Sequence, residues 1–408
     1  MEVKSLRIEQ HMLEEAVQQQ LSTGTIKILN ITSRCISARG FNFLSDLFKV
    51  SVKYRVASKN EHSKLERSTD LIIKLEPFKE FAREIVQQQD LFQIELKVLR
   101  DVLPKIADLV DHPIGPCLWY SCDNPYVFIM EDLNKQGFVM KCRQKALSFE
   151  QCCLVIQTIA KFHAGSVAVH ERNPGILESF ENGGIVSKKC PQNCFRMMQV
   201  SLLRIGDQLK NWTDVESCAK AAPKIIKLAE SIGTKCINVY KYDSDEFCVL
   251  NHGDCWINNV MFKDTEQGKS VDVRLVDYQM SVYSSPAIDL LYFLNICPEF
   301  SVKYDNDDYF LELYLSTLKE TMKSIGCKTK PPTMKELKEA IHKRRVYAVF
   351  AGVVLYLRMM ANKEDIEDFT EVVKNCGGET KMDVFRNPDA VKLAKKMIPV
   401  MNERGYFD

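Results

Sequence analysis

The 408-residue chain is 46% hydrophobic and 27% charged, globular proportions that exclude extended disorder, and its length exceeds one ordinary core, so two lobes or more are expected. Fifty-five basic against fifty-four acidic side chains leave a formal charge of +1 with no long basic block, which argues against a nucleic-acid partner. Fifteen cysteines, an odd number scattered from Cys35 to Cys376, follow no disulfide framework and read as reduced thiols; neither Cys152-Cys153 nor Cys190 with Cys194 has the second pair a zinc site needs.

Met1 to Arg7 leads into a charged, Gln-rich amphipathic stretch rather than an apolar core with a cleavage site, so a cytoplasmic start is expected. Ala38 to Ser45 holds one glycine, Gly40, where a G-x-G-x-x-G phosphate loop has three. Backbone amides of Asn42, Phe43 and Ser45 can still contact phosphate there, although a simple turn reads the same. Alternating apolar residues predict a strand over Leu47 to Val56, and Asp70 to Leu75 a second, joined as an antiparallel hairpin. Lys74 in that second strand stands like the lysine of the kinase V-A-I-K strand, or is a solvated side chain on a strand face. Helical spacing from Phe81 to Leu99 ends before Pro104 and carries Glu95, its natural partner, with Glu80, Glu84 and Asp90 competing. Tyr126 to Met130 predicts another strand, and Met130 to Leu133, including Glu131 and Leu133, would link two lobes and offer backbone groups to adenine; an ordinary strand end looks the same.

From Ser148 onward helical periods dominate: Phe149 to Val169, Gln192 to Leu209, Pro223 to Tyr240, Tyr309 to Gly326 and Met334 to Ala361. A strand-rich first third before a helix-rich remainder is an α+β pattern, divided here into an N-terminal lobe over residues 1–131 and a C-terminal lobe over 132–408. The longest apolar run, Val346 to Leu357, falls short of the ~20 residues a membrane span needs, so no membrane partner is expected.

Only Val249 to Asp277 interrupts the helices with strands. Within it His252, Asp254 and Asn259 keep the H-x-D-x-x-x-x-N spacing of kinase catalytic loops, with Gly253 where protein kinases carry arginine. A hairpin of Val260 to Phe262 and Val271 to Val276, turning at Gly268, would bring Asp277 at its exit back beside Asn259 at its entrance. Phosphoryl transfer needs little else from a protein: a group to take or orient the hydroxyl proton, here Asp254, and sparse oxygen ligands for a divalent ion, here Asn259 and Asp277. An Asp-Asn turn that caps local backbone is the plain alternative. His252 reads as an orienting residue and Asp289 as a brace for the loop.

Several segments in order, Val249-Leu-Asn-His-Gly-Asp-Cys-Trp-Ile-Asn-Asn, Val273-Arg-Leu-Val-Asp-Tyr-Gln, Ser285-Pro-Ala-Ile-Asp-Leu-Leu, Phe128-Ile-Met-Glu-Asp-Leu and Ile159-Ala-Lys-Phe-His-Ala, resemble the ecdysteroid kinase-like family over about residues 35 to 360. These small-molecule kinases are related to choline kinases and aminoglycoside phosphotransferases. The resemblance implies a two-lobed protein-kinase-like fold with a small antiparallel-sheet lobe and a large helical one. It also implies ATP, Mg2+ or Mn2+, and a small hydroxylated substrate, an ecdysteroid foremost. By the same resemblance Asp254 is the base, Asn259 and Asp277 the metal ligands, and Lys74 with Glu95 the phosphate-binding pair. Phe41 departs from the acidic residue more frequent after the loop glycine. Apolar helices near Cys190 to Leu209 and Val346 to Met360 would wall the acceptor site. A detoxifying kinase of hydroxylated plant or xenobiotic metabolites is an alternative, and a silent pseudokinase that binds a small ligand or a protein is another.

Overall fold

Alternation builds the first sheet. In the strand Asp46–Val56, Phe48, Val50, Val52 and Tyr54 are buried while the residues between them are not, so one face is packed and the other only partly covered. In the computed structural model, which describes residues 8–21, 25–36, 44–56, 66–212, 214–360 and 384–408, this strand (β2) lies between β1 (Ile26–Cys35) and β3 (Glu66–Leu75). β4 (Leu118–Asp123) and β5 (Tyr126–Glu131) complete an antiparallel sheet of order β1-β2-β3-β5-β4. Helix α1 (Gln10–Leu21) lays Met12, Leu13, Ala16 and Val17 on the packed face against Phe48, Val50, Ile73 and Ile129. The period of two then puts Lys74, next to Ile73, on the opposite face.

On that opposite face the chain forms α2 (Glu80–Gln88), α3 (Leu91–Lys97), a π turn over Val98–Val102 and α4 (Leu103–Val110). The single helix expected over Phe81 to Leu99 is therefore broken, because Asp90 takes a left-handed φ of +55°. Pro104 does not stop the helix either. It stands in the first turn of α4, where its missing N–H costs nothing.

The rest is largely helical around one large core. α5 (Phe149–Arg172) starts at a Ser148–Gln151 capping box and runs through the middle of that core. At 24 residues it is long and apolar enough to cross a bilayer, which Val346–Leu357 is not, and 72% of its most apolar window is buried inside the molecule. α6 (Gln192–Leu209) matches its expected bounds. Pro223, read as a helix start, lies inside α7 (Glu216–Ala229), and α8 (Ile232–Val239) follows as a separate helix. β6 (Phe138–Met140) precedes α5, and β7 (Val249–Asn251), β8 (Val260–Asp264), β9 (Ser270–Leu275) and β10 (Val282–Ser284) precede α9 (Ala287–Ile296) and α10 (Asp307–Ser324). The helix expected over Met334 to Ala361 is divided. α11 (Met334–Lys343) ends where Arg344 turns inward to the Val239 carbonyl, and α12 (Val346–Val349) passes into a π turn over Phe350–Tyr356. A C-terminal helix over Pro388–Glu403 closes the core.

Candidate active site

β7 and β10 pair in the core, and buried Asn251 at the end of β7 ties the two to α9. Its amide nitrogen donates to the carbonyls of Val282 and Ser284 at 3.3 Å each, and its amide oxygen accepts from the Asp289 N–H at 3.3 Å. The chain then turns at Gly253 with φ +83°. A Cβ there would stand 1.9 Å from the Met280 carbonyl oxygen, so both the torsion and the space demand glycine. This is the physical reason for glycine at that place in the motif. Gly253→Ala should cost about 3 kcal/mol of stability, read from chemical denaturation at fixed pH.

Asp289 holds this loop through its backbone. Its two carboxylate oxygens accept from the N–H groups of His252 at 2.7 Å and Gly253 at 2.8 Å, and His163 donates to it at 3.1 Å. Tyr314 in turn meets the other ring nitrogen of His163 at 2.9 Å. Burial alone would raise the Asp289 carboxyl, but His163, His252 and the backbone donors hold it below its usual range. His252 orients rather than titrates. Its Nε2 faces the Val276 carbonyl at 3.0 Å and its Nδ1 accepts from the Asp254 N–H at 3.3 Å, which fixes the neutral Nε2–H tautomer, and burial lowers its pKa further.

Asp254 emerges from this loop with both oxygens engaged. Tyr292 donates to Oδ1 at 2.7 Å and the Asn259 amide nitrogen donates to Oδ2 at 2.9 Å, with a second Asn259 bond of 2.9 Å to the Asp254 carbonyl. Burial pushes the Asp254 carboxyl up to about 7, against the lowering effect of the Tyr292 bond. Because the Asn259 nitrogen is committed, its amide oxygen is the atom left for a cation. The expected hairpin is present, with Val260 opposite Leu275 and the turn at Gly268. The Val276 N–H bonds the Asn259 carbonyl at 3.0 Å, so the exit of the hairpin lies on its entrance. Asp277 follows at φ +70°.

Asp277 then meets the sheet. Lys74 Nζ lies 2.6 Å from Asp277 Oδ1 and 2.6 Å from Glu95 Oε2, and Lys74 and Glu95 are 2% and 1% exposed. One ammonium between two carboxylates stays charged: burial alone would lower the Lys74 pKa, but Asp277 and Glu95 raise it. Burial and the Asp277 charge push Glu95 up to about 7 in spite of Lys74. The competition among acids is settled in geometry, since Asp90 pairs with Lys189 instead. Phe92 and Phe128, their ring centroids 5.2 Å apart, pack beneath Lys74 and exclude water from the pair.

The remaining predicted residues are less uniformly placed. Asn42 and Phe43 lie outside the described residues, as does Phe41. Ser45 is 2% exposed, and its hydroxyl has no partner among the described residues. Glu131 ends β5 with its N–H committed to the Cys117 carbonyl at 3.1 Å and its side chain to the Cys117 N–H and Gln136, so its carbonyl is what it can offer a base. Leu133 opens a short 3-10 turn over Leu133–Gln136, where the first N–H groups have no intrahelical partner. Asp132 beside it pairs with Lys49 at 2.6 Å.

Three supporting side chains went unread in the sequence. Tyr292 stands three residues after Asp289, a spacing that puts both on one face of α9, and that spacing was the available signal. His163 and Tyr314 carried none, being brought to Asp289 only by the packing of α5 on α10.

The sequence model of the ecdysteroid kinase-like family matches residues 39–327, ending short of the 360 expected from resemblance. A comparison with curated proteins finds no match. The matched stretch takes in Lys74, Glu95, Asp254, Asn259 and Asp277 and well over half of the chain, and the protein therefore belongs to the ecdysteroid kinase-like family, whose members are small-molecule kinase-like phosphotransferases.

Proposed function

We propose that the chain is an ATP-dependent kinase that phosphorylates a hydroxyl of a small molecule, an ecdysteroid foremost. In this reading the fold is two-lobed and protein-kinase-like. Residues 1–131 hold the nucleotide, residues 132–408 carry the chemistry and the acceptor, and the enzyme works in the cytosol. The observation that carries the reading is one convergence: Lys74 of the sheet, Glu95 of α3 and Asp277 at the hairpin exit meet within 2.6 Å contacts, beside a loop that presents Asp254.

Each residue has a task that its surroundings suit. Lys74, kept charged by two carboxylates and oriented by Glu95, offers donors to the nucleotide phosphates. Asp254, held near neutral pKa, accepts the proton of the acceptor hydroxyl or aims that hydroxyl in line with the γ-phosphorus. Tyr292 and Asn259 fix which way its oxygens point. The donor set fits magnesium or manganese: the Asn259 amide oxygen and the Asp277 carboxylate are hard oxygens. No cluster of three or more His, Cys, Asp or Glu capable of holding a metal exists among the described residues, as suits an ion that takes the rest of its shell from phosphate and water. When bound, such an ion would neutralise charge on the β and γ phosphates. The buried Ser45 hydroxyl, without a partner among the described residues, suits a phosphate contact at the start of β2.

The nucleotide part is tested by calorimetry of MgATP on the full chain. Lys74→Met should weaken MgATP binding roughly 10- to 100-fold, the worth of a charge-assisted contact. Unchanged binding in a folded variant would remove Lys74 from the nucleotide site. The acceptor part rests on family membership, and a panel of 20-hydroxyecdysone, choline and hydroxylated plant metabolites separates the readings. Phosphorylation of the plant metabolites with none of the steroid would replace the ecdysteroid by a detoxification role.

A further inference from the structure

The helix that carries Glu95 begins at a joint held by a later part of the chain. α2 ends against Gln89, Asp90 takes its left-handed torsion, and α3 starts at Leu91, so these two residues set where Glu95 is carried. The Ile94 N–H bonds the Asp90 carbonyl at 2.9 Å, which makes Asp90 part of the first turn. Residues 183–190, just before α6, grip the joint from two sides. Gln89 is buried, and the thiol of buried Cys190 donates to its side-chain oxygen at 3.2 Å. Lys189 pairs with Asp90 on the outside. The sulfur is itself held: the Ser187 N–H donates to it at 3.2 Å, and the Ile185 carbonyl, also at 3.2 Å, shares its one hydrogen with Gln89. Burial pushes the Cys190 thiol up, so it keeps the proton that makes it a donor. A thiol bond is weak and an exposed ion pair is no stronger, so the apolar face of α3 keeps the helix on the core. What the two contacts decide is where its first turn sits.

The other end of the same segment rests on the support of the catalytic loop. Gly183 passes so close to Ser281 that a Cβ on it would stand 2.0 Å from the Ser281 carbonyl oxygen. The Ser281 hydroxyl donates to the His252 carbonyl at 3.4 Å, and the Met280 carbonyl before it covers Gly253. Between the two ends, the Val186 N–H bonds the Tyr240 hydroxyl, and Tyr240 bonds the Tyr347 hydroxyl at 2.7 Å. The Tyr347 ring stacks on Tyr292, with centroids 5.8 Å apart, and Tyr292 holds Asp254. One short segment therefore touches both the start of the Glu95 helix and the groups that aim Asp254.

We propose that residues 183–190 are a tie between these two halves of the site, in which Gln89 and Cys190 act as positioning residues that set Glu95 against Lys74. The purpose of the tie, holding Lys74 ready for a nucleotide, rests on the proposed kinase activity. Its mechanical part does not, because the contacts form without any ligand.

Amide exchange over Leu91–Lys97, read by mass spectrometry on the full chain without nucleotide, tests the mechanical part. Cys190→Ala and Gln89→Leu should each speed it roughly threefold, the low end for one hydrogen bond, and together no more than either alone, because both remove the same contact. Cys194→Ala, which removes the next thiol along the chain, should leave it at the wild-type rate, and exchange in α5 should not move in any variant. Wild-type exchange over Leu91–Lys97 in Cys190→Ala and Gln89→Leu, additive effects, or an equal effect of Cys194→Ala would overturn the tie. Calorimetry of MgATP then reads the positioning. Cys190→Ala should weaken binding roughly threefold in the otherwise wild-type protein and not at all in Lys74→Met, since the tie acts through Lys74. An equal loss in both proteins, or none in either, would overturn the positioning role, and the exchange arms stand even if Lys74→Met fails to fold. A wild-type protein that binds no MgATP would count against the kinase reading, a result distinct from wild-type exchange in the two variants.

Discussion

Asp254→Asn should lower kcat on the order of 10³-fold while leaving the protein folded, the middle of the range for loss of a positioned general base. The amide keeps the shape of the carboxyl and most of its bonds. Its oxygen can still accept from Asn259, and its NH2 can donate to the Tyr292 hydroxyl, which is free to rotate. What is lost is the site that takes a proton. Stability moves the other way. The Asp254 carboxyl is held up at about 7 by burial, so above that pH the wild-type fold carries the cost of a buried charge that the amide does not. Melting temperatures at pH 8 should therefore be equal or higher in the variant, and a large fall in both activity and melting temperature would assign Asp254 a structural role instead.

Asp289→Ala should be the most destabilising single change in the site, by about 3–5 kcal/mol. The side chain is fully buried and accepts from two backbone N–H groups and from His163. Alanine leaves all three donors unmet in the core and releases the turn at Gly253. Urea denaturation measures the loss. The pH dependence carries a sign. The folded pKa of Asp289 lies below its ordinary 3.8, so its contribution is complete above about pH 4 and is lost as pH falls through the folded value. Asp289→Asn should accordingly flatten the acid limb of the stability curve relative to wild type. An unchanged acid limb would mean that other carboxylates govern it.

Much of this arrangement was legible in residue order, and the reasons differ by element. The hairpin over Val260–Asp264 and Ser270–Leu275 was readable because β-branched alternation and a glycine turn are local signals, and its register then followed from the fold-back. Lys74 was readable as a strand lysine, but its burial was not, because burial comes from Phe92 and Phe128, which reach it only when α3 packs on the sheet. The same packing chose Glu95 over Glu80 and Glu84. β1 carries exposed Leu29 and Ile31, so its alternation is weak and it left no clear strand pattern. The break at Asp90 was invisible because it rests on one left-handed torsion, not on a proline or glycine. Pro104 and Pro223 misled in a common way: each was read as a boundary, yet one begins a helix after a π turn and the other is carried inside α7. Tyr292 illustrates a further limit. An aromatic in an apolar helix reads as core, and only the folded distance of 2.7 Å to Asp254 gives its hydroxyl a partner.

The most direct test of the central claim is transfer of the γ-phosphoryl group from labelled ATP with magnesium to 20-hydroxyecdysone, run on wild type and Asp254→Asn side by side. The arrangement of Lys74, Asp254, Asn259 and Asp277 predicts a phosphorylated steroid with wild type and on the order of 10³-fold less with the variant. No transfer to this steroid or to any hydroxylated acceptor, or equal transfer by both proteins, would contradict it.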